Sequence, residues 1–195
     1  MIIFLEQQIW PALFGALFGV LFAFLSWLFV KVFFSPKLKI SEFISKRNIG
    51  GRAAYRIKIR NHGFRECSEL AIHAKLEIKK LEWQPSNGFD SFFVDVSFGG
   101  IYPVLRKGSS ILLHVFNTIQ YDKSFYPSDF VNKIERASSI EDLLNLSSNT
   151  KLILYVTATD NFSGARKLYT SESYTVSSIS KRTFKKNSVE LSKKK

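Results

Sequence analysis

Five cations, Lys31, Lys37, Lys39, Lys46 and Arg47, come directly after the charge-free run Ile9–Val30, IWPALFGALFGVLFAFLSWLFV. Ammonium and guanidinium groups donate to phosphate oxygens, and near an anionic leaflet each adds about 1 kcal/mol of attraction. Placed on the flank of an apolar segment, the set points to membrane lipid with anionic headgroups as its ligand. A positive flank that only fixes topology is the plainer reading of the same residues. Arg52 extends the set. A second group, Lys181, Arg182, Lys185, Lys186, Lys193, Lys194 and Lys195, gives residues 181–195 the composition of a solvated, disordered basic tail, with membrane or nucleic-acid contact as the alternative. Together they account for much of a net charge of +12, from 28 Lys and Arg against 16 Asp and Glu. Lipid is the expected partner of the chain, and nucleic acid is not.

Groups able to do covalent or metal chemistry are scattered. His62 falls in a turn, His73 on the polar side of an alternating stretch and His114 inside an apolar one, with no HxxxH spacing and no cysteine pair to complete a zinc site. Cys67 follows Arg65-Glu66, and a nearby guanidinium lowers a thiol pKa, yet a lone loop cysteine is ordinarily inert. Glu141-Asp142 and Asp160 suit a helix start and a turn better than an acid/base pair. The chain reads as a protein without catalytic activity, metal or cofactor.

The elements that position the cations begin with the apolar run itself. At about 1.5 Å per residue it spans roughly 33 Å, enough for a hydrocarbon core of about 30 Å. A signal peptide would carry its positive charge first and a shorter apolar core. Here only Glu6 precedes the run and the lysines follow it. Excess Lys and Arg mark the cytoplasmic flank, so residues 1–35 read as a single-pass anchor with the N-terminus outside and the remaining chain in the cytoplasm. A single cysteine agrees with a reducing compartment. Ala12, Gly15, Ala16, Gly19 and Ala23 recur at three- and four-residue steps, the pattern by which spanning helices pack closely on one another. Trp10 and Trp27 lie toward the two ends, where amphipathic rings favour the interface.

Residues 36–180 have the length of one domain. Tyr55, Ile57 and Ile59 alternate with Arg56, Lys58 and Arg60, and Leu70, Ile72, Ala74, Leu76 and Ile78 alternate with polar neighbours. Phe92, Val94, Val96 and Phe98 repeat the pattern, Ser110–Phe116 is apolar enough to be covered on both faces, and Lys151–Thr159 and Lys167–Val176 complete the set. Such runs, broken at Asn61-His62-Gly63, Asn87-Gly88, Gly99-Gly100 and Ser163-Gly164, predict an antiparallel β-sandwich. Ser138-Ser139-Ile140-Glu141 carries a Ser-x-x-Glu cap before a short helix.

Phe34-Ser35-Pro36-Lys37-Leu38-Lys39-Ile40-Ser41, then Tyr55-Arg56-Ile57-Lys58-Ile59-Arg60-Asn61, then Ala71–Ile78, resemble the start of the cytoplasmic immunoglobulin-like domain of inward-rectifier potassium channels. Ser139–Leu143, Leu152–Asp160, Ser163-Gly164-Ala165 and Ser173-Tyr174-Thr175-Val176 follow in the family's order. The resemblance covers residues 34–185. It implies a mainly β, immunoglobulin-like (E-set type) sandwich behind a transmembrane helix, a tendency to assemble about an axis as a homo-oligomer such as a tetramer, and sensing of ligands near the membrane. The channel itself is not implied, because the chain has one span and no Thr-x-Gly-Tyr-Gly filter. Two functions stay open. The domain gathers spans into a channel-like or membrane-perturbing effector assembly, or the span tethers a module that binds a protein or anionic lipid.

Overall fold

The structure, a computed structural model, describes residues 2–33, 35–79, 91–99, 102–120 and 128–192. Asn87-Gly88, Gly100, Phe34 and the lysines at 193–195 lie outside the described residues. Helix α1 runs Ile2–Phe33. Within it Trp10–Lys31 is a 22-residue stretch of mean hydropathy 2.4, none of it buried against the rest of the chain, long and apolar enough to cross a bilayer.

Ten strands follow: β1 (Leu38–Ile40), β2 (Ile44–Ile49), β3 (Arg52–Asn61), β4 (Cys67–Lys79), β5 (Ser91–Gly99), β6 (Tyr102–Leu105), β7 (Ser110–Gln120), β8 (Lys151–Asp160), β9 (Arg166–Thr170) and β10 (Ile179–Ser180). They pair in the order β10-β2-β3-β7-β5-β4-β8-β9, with β1 also on β3 and β6 also on β4. The domain is mainly β behind an N-terminal apolar helix, as alternation predicts. Its strands form one curled sheet because β7 is long enough to serve both halves: Ser110–Val115 pair with β3, and the stretch from His114 to Gln120 pairs with β5.

Alternation decides which side chains meet. On β8, Leu152, Leu154, Val156 and Ala158 are fully buried between half-exposed neighbours. They join Tyr55, Ile57 and Ile59 of β3 and Ala74, Leu76 and Ile78 of β4 in one core, or flank it as Ala158 does. Helix α2 (Ser128–Arg136) adds Phe130 and Ile134, one turn apart, and α3 (Ile140–Leu144) adds Ile140, Leu143 and Leu144. Tyr174, fully buried, exchanges two 2.8 Å backbone hydrogen bonds with Leu152 and donates its hydroxyl to the Ser41 carbonyl.

Several local expectations are corrected. The α3 cap sits one residue later than the Ser-x-x-Glu pattern suggests. Ser139 Oγ accepts from Asp142 N at 3.2 Å, while Asp142 Oδ2 accepts from Ser138 N and Oγ at 3.0 and 2.8 Å, which frees Glu141 for another partner. Strand β7 is not covered on both faces. Leu113 and Val115 are buried, whereas Leu112 is 38 % exposed on the outer face. Cys67 is not in a loop but opens β4, buried, where loss of hydration pushes its thiol pKa up. Lys58, whose position in the alternation predicts exposure, is buried.

The largest departure is the tail. Residues 181–192, expected to be solvated and disordered, fold back over the outer face of β2 and β3. β10 pairs parallel with Ile44-Ser45, Ser45 Oγ donates to Arg182 O at 2.7 Å, and Phe184 bridges Leu191. Lys185 N donates to Glu190 O at 3.0 Å and Ser192 N to Thr183 O at 2.7 Å, closing a hairpin that buries Val189. Phe184, Val189 and Leu191 supply apolar contact between the lysines, and a row of outward-facing polar groups on β3 supplies the surface beneath.

Candidate functional site

Strand pairing brings the segment that follows α1 and three turns of the domain to one end of the sheet. Leu38, just after the helix, pairs with Asn61 at the end of β3. Cys67, at the start of β4, pairs with Leu105 at the end of β6 and with Asp160 at the end of β8. The turns 62–66, 106–109 and 161–165 therefore surround the helix exit.

Asn61 binds them together. Fully buried, it donates Nδ2 to Arg65 O at 2.6 Å and Leu105 O at 3.0 Å, and its Oδ1 accepts from Gly63 N at 2.8 Å. Its backbone N–H donates to Ser109 O at 3.1 Å, and its carbonyl accepts from Gly108 N at 3.2 Å. Gly63 has to be small, since a Cβ there would stand 3.0 Å from Asn61 Oδ1 and 3.5 Å from Lys37 N. His62 N donates to Lys37 O at 2.8 Å, and the Tyr169 hydroxyl donates to Pro36 O, so the segment leaving the helix is held to the domain from two sides. Asp160 Oδ1 shapes the third turn by accepting from Phe162 N at 3.0 Å and Ser163 N at 2.9 Å.

This end carries two large apolar side chains in turns, Phe64 and Phe162, 71 % and 70 % exposed. Cations lie over both rings. Lys37 Nζ is 5.8 Å and Lys107 Nζ 5.7 Å from the Phe64 centroid, and the Arg65 guanidinium is 3.9 Å from that of Phe162. Arg106, Arg166 and Lys167 are exposed beside them. Glu66 accepts from Asn161 Nδ2 at 3.1 Å and Glu69 from Thr159 Oγ1 at 3.1 Å, so the nearby carboxylates are engaged within the domain. A cleft of about 900 Å³ between the helix end and the β8–β9 turn is lined by Trp27, Val30, Lys31, Lys37, Ser163, Arg166 and Lys167, among others. Aromatic tips ringed by cations thus lie next to a helix of membrane-spanning length, a combination of apolar and phosphate-binding chemistry on one surface.

The structure divides the predicted lipid set. Lys31 and Lys37 meet in this cleft. Lys39 is exposed on β1, beside Arg60 in register. Lys46 is committed elsewhere: its ammonium pairs with Glu141 of α3, which also accepts from the Tyr55 hydroxyl at 3.0 Å. The Lys46 ammonium first, and the Tyr55 hydroxyl with it, hold the Glu141 carboxyl below its usual range, and Glu141 raises the Lys46 pKa in return. Arg47 faces a separate basic groove at the far end. On α1, Ala12, Gly15, Ala16, Gly19 and Ala23 are all exposed, and a Cβ built on Gly15 or Gly19 meets nothing within 4 Å. The turn residues at the helix-proximal end were missed in the sequence. The available signal was a large apolar residue inside each polar turn, His62-Gly63-Phe64-Arg65 and Asn161-Phe162-Ser163-Gly164.

No protein-family model and no curated protein matches this chain.

Proposed function

We propose that the chain is a single-pass membrane protein whose β domain rests on the cytoplasmic leaflet by its helix-proximal turns. By self-association the domain gathers the α1 helices into a channel-like or membrane-perturbing effector assembly. The observation that carries the first part is the convergence of the helix exit, Phe64, Phe162 and a ring of Lys and Arg at one end of the domain. Orientation follows the charge asymmetry across α1, with Glu6 before the span and Lys31, Lys37 and Lys39 after it. The second part is supported by the small-residue face of α1, which the chain's own domain leaves uncovered, and by the resemblance to a domain of axially assembled channels.

In lipid, close backbone approach over small residues is a main source of helix association. Replacing Gly15 and Gly19 together with leucine should therefore abolish liposome leakage and growth arrest on overexpression, with insertion and domain folding preserved. A wild-type protein that neither permeabilises membranes nor assembles beyond a monomer would instead identify a tethered binding module. A reporter fused after Lys195 should be active only if it functions in the cytoplasm.

A further inference from the structure

The outer face of β3 holds Arg56, Lys58 and Arg60 in a row at two-residue steps, beneath the folded tail. Lys58, only 4 % exposed, donates Nζ to Lys185 O at 2.6 Å and Lys186 O at 2.9 Å. The guanidinium groups on either side are not so provided for. Arg56 Nε and Arg60 Nε and Nη1 are buried with no hydrogen-bond partner. A guanidinium stays charged at any pH a protein tolerates, so buried N–H groups of this kind lack a counter-charge rather than a proton acceptor that titration could supply. Unsatisfied buried donors are rare and costly in folded chains, and of these Arg56 Nε belongs to a side chain that lines a cavity.

A cavity of about 280 Å³ lies between this face and the tail. Its cations are Arg47, Arg56, Lys58, Lys185 and Lys186, and its lining includes no carboxylate. Glu190 pairs with Lys185 at 2.7 Å from outside it. Phe184 and Leu112 add apolar surface, and Ser45, Ser110 and Thr183 add hydroxyls. Arg47 and Thr183 also line a second groove of about 870 Å³ running to the β2–β3 turn, so the two spaces adjoin. The site is remote from the bilayer. Arg56 is five residues along β3 from Asn61, about 17 Å from the helix-proximal end at roughly 3.3 Å per residue.

We propose that this chamber binds a soluble nucleotide-class ligand, its phosphates held by Arg47, Arg56, Lys58 and Lys186 and its base lying against Phe184 toward the larger groove. Bidentate donation from Arg56 to phosphate oxygens satisfies its orphaned Nε, and the folded tail closes over the ligand. Phosphoinositide headgroups share the phosphate chemistry, but the distance from the helix exit favours a ligand that arrives from solution. The proposal deepens the effector reading by supplying a trigger, since a ligand bridging β3 and the tail would stabilise the closed domain. Binding is nevertheless read without reference to leakage or assembly.

The test is calorimetric titration of the full chain in detergent with pyrophosphate, ADP, GTP and inositol 1,4,5-trisphosphate as probes. Saturable binding of ADP or GTP is expected. Arg56→Gln, and separately Arg47→Gln with Lys186→Gln, should weaken it at least tenfold with the circular dichroism spectrum unchanged. Arg166→Gln with Lys167→Gln, at the opposite end, should leave it within twofold. Preference for inositol trisphosphate with no nucleotide binding would overturn the assignment in favour of a lipid headgroup. No binding of any probe at millimolar concentration, or wild-type affinity in Arg56→Gln, would overturn the site.

Discussion

Side chains that alternation assigns correctly and the one it misassigns give contrasting predictions. Leu76 and Leu154 are fully buried in the core on the neighbouring strands β4 and β8, so truncating either to alanine should lower unfolding free energy by about 2–5 kcal/mol in denaturant titration. Lys75 is exposed on β4 and should tolerate alanine within about 0.5 kcal/mol. Lys58 occupies an equivalent polar position on β3, yet Lys58→Ala should cost about 1–3 kcal/mol, because the tail carbonyls it serves lose their donor. Nothing in the local pattern around Lys58 distinguishes it from Lys75; the difference arises from residues 127 and 128 positions away. Glu141 gives a pH signature. Its folded carboxyl titrates below the ordinary value of 4.5, so the contribution of its pair with Lys46 is complete above that pH and fades as pH falls through the lower folded value. Both partners are about a third exposed, at 31 % each, which limits the pair to under about 1 kcal/mol. Glu141→Gln should flatten the stability profile below pH 4.5 and leave its shape above pH 6 unchanged.

Among elements, strands with period two were legible: burial on β8 alternates at every second residue, although the apolar Ile153 and Tyr155 take the half-exposed side and Asp160 the buried one. Elements set by long-range contact were not. The tail reads as polymer-like because its lysines dominate its composition, whereas the Phe184–Leu191 pairing and the burial of Val189 arise only once the segment folds back and Lys58 of β3 takes its carbonyls. Deleting residues 182–195 should therefore lower the melting temperature by several degrees and expose Lys58, which differential scanning fluorimetry and hydrogen exchange on β3 would report. A melting temperature equal to wild type would return the segment to the solvated state that its charge suggests. Helix α2 also escaped the sequence reading, though Phe130 and Ile134 stand at helical spacing; three apolar positions within nine residues, two of them adjacent, are too few to separate a helix from a loop by periodicity.

At the scale of the whole molecule, a helix of spanning length was plain from its apolar run, but the helix-proximal end of the domain, which we propose meets the membrane, was not, because its residues come from turns separated by up to a hundred positions and joined only by strand pairing. Lys31 and Lys37 were found by proximity to the span; Arg65, Lys107, Arg166 and their aromatic partners Phe64 and Phe162 needed the fold. The most direct measurement of that arrangement is spin-label accessibility in the full chain, reconstituted in nanodiscs containing anionic lipid, with single labels at Phe64→Cys, Phe162→Cys and Asn48→Cys. Asn48 is exposed beside Ala53, near the opposite end of β3. Labels at 64 and 162 should collide with oxygen and be shielded from a water-soluble nickel chelate, while the label at 48 shows the reverse. Equal chelate access at all three positions would contradict a domain resting on the bilayer by these turns.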